Sequence, residues 1–175
     1  MSRPLVLALG NDLLGDDGVG LAAARLLRED LPPHVDVEET PTGGLDLLDW
    51  MEGRERVLLL DAVVSGRHPP GTVLELTRGD FKTGSLPSPH YAGLPDVLAL
   101  AERLGIPFPR DLRVLAMEVE PPRELGTGLS PVVRAALPGF VDRARRLIRA
   151  WDPAGAGGPR AAPPAPRGTR SPGET

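Results

Sequence analysis

Apolar residues recur along this chain in two rhythms. Three runs are almost continuously apolar, "LVLAL" (5–9), "RVLLLDAV" (56–63) and "LRVLAMEV" (112–119), the pattern of strands buried on both faces. "VDVEE" (35–39) and "GTVLELT" (71–77) read as further strands. Between them the period lengthens to that of helices. "GVGLAAARLLRED" (18–30) places Val19, Ala22, Ala23 and Leu26 on one face, and "GLDLLDWME" (44–52) is entered through Gly43 and Gly44. "LPDVLALAERLG" (94–105) stops at Gly105, and the stretch 130–151 opens with Ser130 as N-cap and Pro131 at the first helical position. Pro138-Gly139 predicts a kink or a split in that last helix. The alternation predicts one α/β domain over residues 1–151, a twisted, mostly parallel sheet with helices on both faces, in three layers. Ligand sites in such sheets lie at the carboxyl ends of the strands. Asn11 to Asp17 and Asp61 to Gly66, which follow the first and third strands, are therefore expected to be neighbours.

Beyond Trp151 the sequence becomes "DPAGAGGPRAAPPAPRGTRSPGET". With almost nothing large and apolar to bury, this 152–175 tail is expected to be disordered. The 175 residues carry a formal net charge of -4 and include no cysteine. No basic field invites nucleic acid, and disulfides, thiolate metal sites and Cys nucleophiles are all excluded. Any metal must be held by His, Asp, Glu or backbone oxygen. No apolar run approaches the ~20 residues of a membrane span, and a strand-like run follows Met1 where a signal peptide would differ. A cytoplasmic location is the expectation.

The loop "LALGNDLLGDDGVG" (7–20) has the G-x-x-x-x-G spacing of a phosphate cradle at Gly10 and Gly15, but Asp16 and Asp17 stand where such a loop has Lys and Ser or Thr. Two acids beside a pyrophosphate repel it, and the overlapping G-x-G-x-x-A lies inside a helix, so nucleotide binding is disfavoured. Asp16 can cap the helix that follows. A single cap leaves Asp17 without a structural task. Asn11, the only asparagine in the chain, follows Gly10 where a short amide tolerates left-handed backbone and bonds its own turn. Asp61 ends an otherwise apolar strand, where an acid is disfavoured unless partnered or functional. His90 lies in a proline-stiffened loop, whereas His34 follows Pro32-Pro33 at a strand entry and His68 precedes Pro69-Pro70 in a turn. Asp17, Asp61 and His90 together suit a borderline divalent metal such as nickel, zinc or iron. A proton-sharing pair of aspartates is the other chemistry open to Asp17 and Asp61, although the D-T/S-G signature of that class is absent. No G-x-S-x-G elbow, H-E-x-x-H helix or Cys-His pair is present.

Four stretches, "LALGNDLLGDDGVG", "LLLDAVVSGRHPPGTV", "SPHYAGLPDVLALAERLG" and "GLSPVVRAALP", in this order and at these spacings, resemble the hydrogenase maturation endopeptidases. The resemblance covers about residues 4 to 149. It implies a single α/β domain and an endopeptidase, grouped with the aspartic type, that removes a C-terminal extension from the nickel-iron hydrogenase large-subunit precursor after nickel insertion. It also implies that Asp17, Asp61 and His90 are the metal-contacting positions, with Asp17 and Asp61 catalytic, and that nickel is presented by the substrate and read as a recognition mark. Gly43 and Gly44 hold a substrate strand by close backbone approach in this reading, with Asn11 a further substrate contact. Where the family's glycine pair leads into Thr, this chain has Leu45. A nickel-sensing or chaperone-like binder that holds the large subunit without cutting it is the alternative of another class.

Overall fold

The computed structural model describes residues 2–41, 43–77, 79–80, 94–122 and 125–151. The apolar runs form a five-stranded sheet of β1 (Leu5–Leu9), β2 (Asp36–Thr40), β3 (Arg56–Val63), β4 (Val73–Thr77) and β5 (Asp111–Glu118), in the order β2-β1-β3-β5-β4. All neighbours are parallel except β4, which runs antiparallel to β5. The chain leaves β1 towards one edge to make β2 and returns to the other side of β1 to make β3. That reversal opens a crevice between the carboxyl ends of β1 and β3, where open α/β sheets bind ligands.

Helices cover both faces, as the alternation predicts. On one side α1 (Val19–Asp30) and α4 (Pro131–Arg149) pack on Val6, Ala8, Leu58, Leu60, Leu115 and Met117. On the other, α2 (Leu47–Met51) and α3 (Leu94–Leu104) cover Leu5, Leu7, Leu9, Val57, Leu59, Leu112 and Val114. Consecutive strand residues thus feed opposite cores, which is why the strands read as unbroken apolar runs.

Three expectations are corrected. The buried side of α1 is Val19, Leu21, Ala23, Ala24 and Leu27, whereas Leu26 is 41% exposed and Ala22 is only half-buried. The helix is turned by Gly20, where an added Cβ would lie 2.6 Å from the carbonyl oxygen of Leu60 and 2.8 Å from that of Leu9. Only glycine lets the helix backbone approach the ends of β1 and β3 so closely. Next, α4 runs from Pro131 to Arg149 without splitting at Pro138-Gly139. Pro138 is exposed, so the carbonyl it leaves unbonded faces water, while Phe140, Val141, Ala144, Leu147 and Ile148 hold the following turns in the core. Finally, the expected helix at 44–52 is a 3-10 turn over Gly44–Asp46 followed by the short α2.

Ser130 caps α4 as predicted, its Oγ accepting from the Val133 amide at 3.5 Å. The far end of the helix is tied to the sheet. Trp151 is buried and its Nε1–H donates to Asp111 Oδ2 at 2.7 Å, while Arg56 Nη1 donates to the Trp151 carbonyl at 2.6 Å. The 152–175 tail lies outside the described residues.

Burial pushes the Asp111 carboxyl up, but the hydrogen bonds from Arg113 and Trp151, with the charges of Arg113 and Arg56, outweigh it and hold the group below its usual range. The unfolded chain therefore binds the proton more tightly, so this stabilisation is present above the ordinary carboxylate value of about 4 and is lost as pH falls through the lower folded value. Urea unfolding at neutral pH is expected to show Asp111→Asn destabilised by about 1–2 kcal/mol. The gap between variant and parent should narrow as pH falls below about 4.

Candidate active site at the carboxyl edge of the sheet

The register aligns the strand ends that carry the candidate residues. Leu9 pairs with Thr40, and Ala8 with Leu60, so Asp61 stands level with the last residues of β1 and β2; it does not end its own strand as expected, because β3 runs on through Ala62 and Val63 beside Met117 and Glu118 of the longer β5. Asn11 emerges two residues beyond Leu9, and Gly43-Gly44 follow β2 on its other side. The loop after β1 turns back through a 3-10 turn, Gly15–Gly18, that carries Asp16 and Asp17 and packs against β3. The neighbourhood expected for the segments after the first and third strands is therefore present.

Asp61 has no solvent exposure, and its Oδ1 accepts from the Ala62 amide at 2.8 Å. A carboxylate so placed has been removed from water at a cost of several kcal/mol before compensation by its partners. Asp17 is half-buried and does have a structural task, contrary to the sequence reading: its Oδ2 accepts from the Asn11 amide at 2.7 Å and closes the loop on itself. Asn11 bonds its own turn as expected, Oδ1 accepting from Leu13 N at 3.0 Å. The positive φ falls on Gly10 (+135°), and no described non-glycine residue has one, so Asn11 is not left-handed. Its side-chain amide group has no partner among the described residues.

Asp16 is not the helix cap expected of it. The residue preceding α1 is Gly18, with no side-chain cap, and Asp16 Oδ1 instead accepts from the Ser130 amide at 2.6 Å. Ser130 belongs to the segment before α4, which joins the first loop through a parallel bridge between Leu14 and Gly126. Gly15 N donates to Gly126 O and Gly126 N to Leu13 O, both at 2.9 Å. On the other flank Arg25 bridges Asp12 and Glu39 at 3.0 Å each, a half-exposed pairing of small energetic weight.

Gly43 is extended (φ -139°, ψ -162°) and Gly44 left-handed (φ +63°), so the glycine pair turns the chain sharply at the end of β2. Leu45 is 64% exposed. His90 lies outside the described residues. Among the described residues no three His, Cys, Asp or Glu side chains form a metal-holding group; Asp17 and Asp61 supply carboxylate oxygens only.

Sequence reasoning passed over a third acid of this edge, Glu118. It ends β5 and is 2% exposed, so the signal that singled out Asp61, an acid in an apolar strand, was equally available for it. Its carboxylate is occupied: Oε1 accepts from the amides of Ser65 and Gly66, both at 2.8 Å, and Oε2 from Ser65 Oγ at 2.6 Å. Glu118 thus fastens the loop that follows β3.

Comparison with known proteins agrees with this architecture. The family model described as hydrogenase maturation protease matches residues 21–146. Over 152 residues the chain is 32% identical to the hydrogenase 2 maturation protease of Escherichia coli (strain K12), covering 84% of this chain and 91% of that protein. It is 31% identical over 154 residues to the hydrogenase expression/formation protein HupD of Rhodobacter capsulatus, covering 85% and 72%. Among solved structures, the hydrogenase maturating endopeptidase HybD from E. coli has a TM-score of 0.74 at 31% identity, over 85% of this chain and 93% of that one. The NiFe hydrogenase maturation protease HybD from Thermococcus kodakarensis has a TM-score of 0.65 at 32% identity, over 83% and 98%.

Proposed function

The chain belongs to the hydrogenase maturation protease family, and we propose that it removes the C-terminal extension of a nickel-iron hydrogenase large-subunit precursor once nickel is in place. The observation that carries this reading is the fully buried carboxylate of Asp61 in β3, two residues before the strand ends, with the turn that bears Asp17 packed against the same strand. Two acids at a strand-end crevice supply what peptide hydrolysis needs: a group to take a proton from the attacking water and one to return it to the leaving amine. Of the two, Asp61 is shielded from solvent and Asp17 is the more open.

In this reading nickel belongs to the substrate. Asp17 and Asp61 offer hard oxygen donors and His90 an imidazole, a set suited to a borderline divalent cation, and they read the precursor's metal as the mark of completed insertion. The side-chain amide of Asn11, which has no partner among the described residues, and the turn at Gly43-Gly44 face the extended segment to be cut. Exposed Leu13 (58%) and Leu125 (83%), on backbones joined through Gly126, offer that segment apolar contact.

The test is a mass-shift assay on the precursor, nickel-loaded and nickel-free, with the parent protein and Asp17→Asn. The expected result is loss of a C-terminal peptide only with nickel and the parent, and a rate at least about a hundred-fold lower for the variant. A precursor that binds but keeps its mass would support the non-cutting binder in its place.

A further inference from the structure

We propose that Asp16 is a positioning residue of the site, fixing the turn that presents Asp17 by holding the Ser130 amide, 114 positions away in the chain. The inference rests on the reading of Asp17 as a site acid and extends it to a neighbour with a different task.

Beyond its contact with β3, the turn is held by polar bonds. Of its four residues only Gly18 is buried, so no apolar side chain of the turn anchors it in either core. Polar ties do the work instead. Some are internal: Asn11 N to Asp17 Oδ2, and the backbone bonds from Leu14 N to Asn11 O and from Asp17 N to Leu14 O. The others reach outward to the 126–130 segment: the Leu14–Gly126 bridge with its two backbone bonds, and Asp16 to Ser130. Of these outward ties, only the Asp16 bond is made by a side chain and can be deleted by substitution. Its acceptor is charged, which makes such a bond about twice as strong as a neutral one.

The geometry also defines what the bond couples. Ser130 is the N-cap of α4, a 19-residue helix whose apolar face is part of the core. Through Asp16 the loop that follows β1 is therefore referenced to a long packed helix, the arrangement that holds a reacting group to the narrow tolerance catalysis demands. Asp16 and Ser130 both line an open cavity of ≈ 310 Å³ with Leu14, Gly15, Gly128 and Leu129. Loss of the bond there admits water without leaving a void in the core, so the consequence falls on placement more than on stability.

Asp16→Ala removes the acceptor, whereas Asp16→Asn keeps an oxygen at the same place. With nickel-loaded precursor, Asp16→Ala is expected to lower kcat by at least about ten-fold with KM changed less than about three-fold, and Asp16→Asn to recover most of the rate. Thermal midpoints of both should stay within a few degrees of the parent. Amide hydrogen exchange supplies a readout without substrate: the Asn11 amide, held by Asp17, should exchange at least about ten-fold faster in Asp16→Ala and at the parental rate in Asp16→Asn. Unchanged Asn11 exchange in Asp16→Ala overturns the proposal, as does a rate loss that merely follows the unfolded fraction, or an Asp16→Asn variant as slow as Asp16→Ala. If the parent itself does not cut, the proposed function fails, and the exchange measurement still decides whether Asp16 positions Asp17.

Discussion

Asp61→Asn is expected to remain folded and to cut the nickel-loaded precursor about a thousand-fold more slowly or worse. The two halves of this result have one origin. A carboxylate with no solvent exposure is retained against a large desolvation cost, and the nearly isosteric asparagine keeps an oxygen for the Ala62 amide while removing the group that exchanges a proton. The fold should therefore persist while the chemistry disappears. Glu118→Ala is the control with the opposite pattern. It removes the charged acceptor of the half-buried Ser65 and exposed Gly66 amides, costing about 1–3 kcal/mol, while each folded molecule still cuts. Urea unfolding beside a single-turnover mass assay reads both quantities. Near-parental cleavage by Asp61→Asn would remove Asp61 from the mechanism.

Gly10→Ala should be among the most damaging single substitutions in the chain, at about 3 kcal/mol or more. The residue has φ +135°, and an added Cβ would lie 2.1 Å from the Asp17 carbonyl oxygen. Neither partner of that clash is a side chain that can swing away. The strand end or the turn bearing Asp17 must shift, so cleavage falls even in the fraction that folds. Gly66→Ala separates this collision from backbone preference alone: Gly66 also has positive φ (+67°), but nothing lies within 4 Å of its added Cβ, and its cost should be about 1 kcal/mol. Equilibrium unfolding of the two variants gives the comparison, and equal losses would show that the contact with Asp17 is not limiting.

The candidate site was legible where its signal was local. Asp61 stands out because an acid interrupts a strand buried on both faces, and strand-helix alternation is enough to bring the end of that strand beside the loop after β1. The same signal marked Glu118 without distinguishing it, because how many backbone amides reach a buried acid depends on where residues such as 65 and 66 turn in space. Helix capping was misassigned to Asp16 for a related reason: local spacing offers the nearest helix terminus, whereas the amide actually bound belongs to Ser130. The apolar face of α1 was displaced because periodicity scores side chains, and the residue that orients this helix, Gly20, has none.

By itself the sequence determined the class of fold, the strands and helices, and the two short stretches that could carry chemistry, since these follow from hydrophobic period, glycine placement and residue type over a few neighbouring positions. Tertiary structure alone decided the strand order that opens the crevice between β1 and β3, the antiparallel β4, and the separate duties of Asp16, Asp17, Asp61 and Glu118. A carboxylate's role is set by which donors reach it and by how much water it retains, and both are properties of segments that meet only after the chain has folded.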